Sequence, residues 1–102
     1  MSSESEETGA NEYRSPSEQT LKNAWKISLV EDKEVKSDYW ASSIDKTSLI
    51  GVRENQEKLL VKSEDEYTSP IGKIYRVEGE FIVLTENSVY IIDAGIPTKR
   101  IS

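Results

Sequence analysis

Two runs of four apolar residues, Phe81-Ile82-Val83-Leu84 and Val89-Tyr90-Ile91-Ile92, stand on either side of Thr85-Glu86-Asn87-Ser88. β-branched and aromatic side chains favour strands, and Glu-Asn favours a tight turn, so the segment reads as a β-hairpin. A strand with one wet face alternates apolar and polar residues, and these two do not. The hairpin therefore needs cover on both faces. Sequence alone leaves two ways to supply it: a central position in a barrel or sandwich, or one face against another chain.

A pattern that occurs twice points to the same class. Thr47-Ser48-Leu49-Ile50-Gly51 leads through a polar turn to Leu59-Leu60-Val61 and Ser63-Glu64-Asp65. Thr68-Ser69-Pro70-Ile71-Gly72 leads, with one extra residue before its turn, to Phe81-Ile82-Val83-Leu84 and Thr85-Glu86-Asn87. Each copy reads as strand, turn, strand. Duplication and two independently similar hairpins both give this pattern, and either builds antiparallel β structure.

Upstream, Ser15-Pro16-Ser17-Glu18 reads as a helix start. Ser15 serves as N-cap, Pro16 takes the first helical position, and Glu18 closes a capping box. Leu21, Ala24 and Trp25 share a helical face. Beyond them Trp25, Ile27 and Leu29 alternate with Lys26 and Ser28, which is strand periodicity. The expectation is a short helix over 16–23, then strands over 25–31, 35–42, 47–53, 58–63, 73–77, 81–85 and 89–93. The turns are expected at Glu31-Asp32-Lys33-Glu34, Glu54-Asn55-Gln56, Glu78-Gly79 and Glu86-Asn87, where Gly and Asn tolerate positive φ. The fold class is all-β: a small antiparallel barrel or sandwich of six to seven strands, with a short N-terminal helix. The segments are a disordered acidic tail over 1–14, a β domain over 15–96 and an irregular tail over 97–102.

Composition matters here for what it limits. The chain has 102 residues, 35% of them hydrophobic, which suits one domain with a thin core that self-association would reinforce. Of the net charge of −6, most belongs to residues 1–20, where Glu4, Glu6, Glu7, Glu12 and Glu18 face only Arg14. The folded part is near neutral, so charge says little about its partner. No run approaches the ~20 apolar residues of a membrane span. The N-terminus lacks the charged-then-apolar order of a signal peptide, so the expected location is intracellular and cytoplasmic.

With no histidine and no cysteine, a Ser-His-Asp triad, a Cys-His pair and ordinary zinc ligation are excluded. Glu64-Asp65-Glu66 and Glu31-Asp32 flank turns, where solvent disfavours the raised pKa of a catalytic acid. No calcium loop or phosphate loop is present. The expectation is a non-enzymatic protein with no catalytic, cofactor-binding or metal residues.

Two binding classes remain. A small barrel binding single strands would use Tyr39, Trp40, Tyr75 and Tyr90 as platforms, with Lys62, Lys73, Arg76, Lys99 and Arg100 for phosphates. Acidic residues outnumber basic ones even outside the tail, which disfavours it. A protein partner or a second copy suits the thin core and the two-faced hairpin better. The anchors expected are Tyr39 and Trp40, provided they are exposed, then Phe81, Val83, Tyr90 and Ile92 on one hairpin face. The Ser15-Pro16 step fits either a kinase site or the helix cap.

Leu49–Lys62 (LIGVRENQEKLLVK), Glu64–Tyr75 (EDEYTSPIGKIY), Thr85–Ile91 (TENSVYI) and Asp38-Tyr39-Trp40 resemble small uncharacterised proteins of large DNA viruses. The resemblance covers roughly the second half of the chain and contains no catalytic motif. It implies a virus-encoded accessory or virion-associated protein, in the host cytoplasm or the virion, and carries no functional residue with it.

Overall fold

A computed structural model describes residues 14–101. The tail expected over 1–14 lies outside them except for Arg14.

Helix α1 spans Glu18–Glu31 as one uninterrupted element. This corrects the expected helix-then-strand division at residue 24. Its buried face is Thr20, Ala24 and Ser28, at i, i+4 and i+8. These side chains are small, so apolar periodicity does not reveal them, while Trp25 and Leu29 turn outward and mimic a strand. Ser17, not Ser15, is the N-cap: its Oγ accepts from the Thr20 amide at 3.2 Å. Asp32 ends the helix in the left-handed region, where the Lys33 amide donates to the Ser28 carbonyl at 3.1 Å.

Strand β1 covers only Glu34–Lys36, and the chain then enters a short helix α2, Trp40–Asp45. The expected strand over 35–42 is therefore wrong beyond Lys36. Trp40, Ser43 and Ile44 fall on one helical side (i, i+3, i+4) and pack inward, which a strand would not allow.

The remaining strands are β2 Leu49–Val52, β3 Lys58–Val61, β4 Ile71–Val77, β5 Glu80–Thr85, β6 Ser88–Asp93 and β7 Thr98–Arg100. They form two sheets. One has the order β1-β6-β5-β4; the other has β3-β2-β7. The two halves of the sequence repeat are the antiparallel hairpins β2–β3 and β4–β5, one in each sheet. Two pairings are parallel: β1 with β6, and β7 with β2. The fold is thus mostly strand, but mixed rather than antiparallel, and the sheets do not close into a barrel. The tail expected to be irregular contributes β7. Ile101 follows β7 and lies directly over Gly51, where a Cβ would stand 2.7 Å from its Cδ1. Tight turns place their left-handed residues at Gln56 and Glu78, while Gly79 keeps an ordinary φ.

The β5–β6 hairpin is the centre of the molecule. Its register pairs Ile82 with Ile91 and Leu84 with Val89; it also pairs Phe81 with Ile92 and Val83 with Tyr90. The first set packs under the helices with Ala24, Ile27, Trp40 and Ile44. The second packs against the smaller sheet with Tyr39, Ile50, Leu60 and Ile96. Helices, four-stranded sheet and three-stranded sheet make three layers, so both hairpin faces are covered within one chain. No helix among the described residues is long and apolar enough to cross a membrane.

Candidate functional site

Placement decides which expected anchors are surface. Tyr39 and Trp40 are 4% and 9% exposed, and Val83, Tyr90 and Ile92 are buried with them. Phe81 is half-buried against the same core. Tyr39 stands edge-on to Tyr90 with ring centroids 5.5 Å apart. Burial, followed by the nearby charges of Glu66, Tyr90 and Asp38, pushes the Tyr39 phenol up to about 12. Five of the six expected partner-binding residues are therefore core in this chain and Phe81 packs against them, because one hairpin face needed Tyr39 and the other needed Trp40.

The same burial breaks up the nucleic-acid platform. Of Tyr39, Trp40, Tyr75 and Tyr90, only Tyr75 keeps an exposed ring, at 37%. Lys62 lies over the Tyr39 ring at 4.9 Å and pairs with Glu66 at 3.4 Å. Lys73 and Arg76 sit on β4 with Tyr75, whereas Lys99 and Arg100 lie on β7 in the other sheet. No group of three or more metal-ligating side chains occurs among the described residues.

One ionic cluster was missed by sequence reasoning. Glu80, at the start of β5, is 3% exposed. Its carboxylate accepts from Arg14 Nη1 at 2.6 Å, from the Thr20 hydroxyl at 2.6 Å and from the Ser17 amide at 3.3 Å. Arg14 also bridges to Asp93, at the far end of β6. Its guanidinium lies 5.0 Å from the Trp40 ring centre, and its carbonyl accepts from Trp40 Nε1 at 2.8 Å. Burial disfavours charge on Glu80, but the hydrogen bonds from Thr20, Arg14 and Ser17 outweigh it and hold the carboxyl below its usual value. The hydrogen bond to Glu80 leads the causes that raise Arg14. Every member is satisfied by another, so the cluster clamps the chain before α1 onto the sheet and offers no free acid or base. Its members are up to 79 residues apart, and no local pattern marks them.

The exposed apolar surface lies elsewhere, on α1. Leu21, Trp25 and Leu29 follow each other at i+4 along the outward side; Trp25 is 60% exposed and Leu29 78%. Val30, on the flank toward β4, is 82% exposed. Consecutive i+4 positions stack on one face, so the three form a continuous stripe about 12 Å long at 1.5 Å per residue. The signal was present in the sequence, but reading residues 25–31 as a strand scattered it. Comparison with protein-family models, with curated proteins and with solved structures returns no match for this chain.

Proposed function

We propose that this chain is a non-enzymatic protein–protein interaction module whose contact face is the outer side of α1. The observation that carries this reading is the Leu21–Trp25–Leu29 stripe. A large aromatic flanked by two aliphatic residues in line is the pattern by which a helix meets a groove or another helix. The hairpin face favoured by sequence has no such role, because the chain buries it itself. The likeness to proteins of large DNA viruses supplies the setting: an accessory or virion-associated protein binding a host or viral protein, or a second copy.

The test uses the two tryptophans. In a Trp40→Phe chain, Trp25 is the sole tryptophan, and its fluorescence, excited at the red edge where tyrosine does not absorb, should be that of a water-exposed indole. Raising the concentration or adding a captured partner should shift that emission to the blue. Trp25→Ala combined with Leu29→Ala should abolish binding while stability moves by only about 0.5 kcal/mol, as for surface substitutions away from packed features. Binding that survives this pair sinks the proposal. Binding that weakens steeply with salt and follows added single-stranded nucleic acid would favour the phosphate-binding alternative.

A further inference from the structure

Four strands lie at the edges of the two sheets, and an open edge is a template for another strand. β1 and β7 have three residues each. The edge of β3 is covered by the chain itself. The Thr68 amide donates to the Leu60 carbonyl at 2.9 Å, and the Leu60 amide donates to the Thr68 hydroxyl at 3.0 Å. Further along, the Lys62 amide reaches the Glu66 carbonyl at 2.8 Å. β4 has no such cover, although at seven residues it is the longest strand, and its five middle residues are exposed.

The phase of the β4–β5 ladder decides which backbone groups meet that open edge. Val77 and Glu80 close the hairpin over the two-residue turn Glu78-Gly79, and the closing pair of such a turn is hydrogen-bonded. Bonded and non-bonded pairs then alternate. Tyr75 with Ile82 is bonded, whereas Ile74 with Val83 and Arg76 with Phe81 are not. The amides and carbonyls of Ile74 and Arg76 therefore point away from β5. No other segment among the described residues hydrogen-bonds to them.

We infer that β4 pairs antiparallel with β4 of a second copy, across a two-fold axis at Tyr75, so that the two four-stranded sheets become one. The strand's own sequence selects this register. Regular pairing covers Lys73–Val77, because the ladder shifts at Gly72. Matching that stretch to itself sets Tyr75 against Tyr75, Ile74 against Arg76 and Lys73 against Val77, and no like charges stand opposite each other. Centring on Lys73 or Arg76 would oppose two cations, and centring on Ile74 would draw the bulge into the ladder.

The same register satisfies the open backbone. Ile74 of each copy exchanges both of its hydrogen bonds with Arg76 of the other. The two Tyr75 rings form a non-hydrogen-bonded pair, where side chains approach most closely and aromatic contacts stabilise pairing. Arg76 is drawn back over the Phe81 ring, 5.7 Å from its centre, and its Nε donates to the Glu78 carbonyl at 3.4 Å. Its charge therefore stays off the axis. The axis is perpendicular to the sheet, so both helix layers lie on one side, and the exposed Val30 beside Tyr75 faces the second copy. A ladder this short is a small interface, and the dimer dissociates on dilution.

This contact is independent of the outer face of α1, and amide exchange separates the two. Exchange is followed by NMR on the full chain at about 20 µM and about 1 mM, with solution mass measured on the same samples. At the higher concentration the mass should rise towards that of a dimer. The Ile74 and Arg76 amides should then exchange roughly threefold or more slowly, and the Tyr75 amide, bonded to β5 in both states, should change less. Ile74→Pro deletes one outward amide, a change that edge strands tolerate, and should abolish the concentration dependence at Arg76. Tyr75→Lys, which opposes two cations at the axis, serves if the proline variant fails to fold. Trp25→Ala with Leu29→Ala should leave the dependence intact. Unchanged exchange at both amides up to the higher concentration overturns the inference. So does slow exchange in a chain whose mass is that of a monomer, which would place a segment of the same chain on the edge. Loss of the dimer in the Trp25→Ala, Leu29→Ala chain but not in Tyr75→Lys overturns it as well, and assigns assembly to α1.

Discussion

Glu80→Ala is expected to lower stability by about 2–4 kcal/mol, because it removes a buried acceptor and leaves Arg14, Thr20 and the Ser17 amide without their common partner. The lower part of the range that applies to a broken buried ion pair is appropriate, since the Arg14 side chain is half open to water. For a domain of this size each kcal/mol shifts Tm by roughly 4–8 °C, so calorimetry resolves the change easily. The same residue sets an acid dependence. Its carboxyl is held below the ordinary value in the folded chain, so the unfolded chain binds the proton more tightly. The stabilisation is complete above the usual glutamate range and is lost as pH falls through the lowered folded value. Unfolding midpoints measured from neutral pH into that acid range should fall more steeply for the natural chain than for Glu80→Gln. Parallel pH profiles for the two would show that the clamp does not depend on charge.

Ile82→Ala and Ile92→Ala are expected to lower stability by about 2–4 kcal/mol each, from opposite faces of one hairpin. Both side chains are fully buried, Ile82 beneath the helices and Ile92 against the smaller sheet. Truncation leaves a cavity in a packed layer in either case. A hairpin with one face turned to another molecule would give an asymmetric result: a large loss on one face and almost none on the other in the isolated chain. Denaturant unfolding of the two variants side by side makes the comparison. Near-equal losses support the three-layer arrangement, and an Ile92→Ala chain as stable as the natural one refutes it.

What the sequence disclosed follows from the range of the interactions involved. The strands from Leu49 to Asp93 were legible because β-branched runs and their turns are local signals, and the register of Ile82 with Ile91 follows from a short loop. The need to cover both faces of that hairpin was legible as well. Its solution was not, because it depends on β1 and β7 pairing in parallel across long separations. α1 was obscured by its own packing: Thr20, Ala24 and Ser28 are small where the sheet comes close, so the large apolar residues on this helix are the exposed ones. Tyr39 and Trp40 were chosen as anchors for their size, and their size is why the core took them. The candidate face on α1 became visible only once residues 18–31 were seen as a single helix.

The two parallel pairings also order the events of folding. β1 pairs with a strand that begins at Ser88, and β2 pairs with one that begins at Thr98. During synthesis, neither sheet has its full complement of strands until these later residues have emerged. Until then β2 and β3 form a lone hairpin, which is at best marginally stable in water. Loop closure over such separations precedes any gain from the contacts, and this places the chain among slower folders than its two helices suggest. The lone β2–β3 hairpin, whose Ile50, Leu59 and Leu60 are buried in the finished fold, is the segment left uncovered in the interval, so aggregation of the nascent chain would begin there.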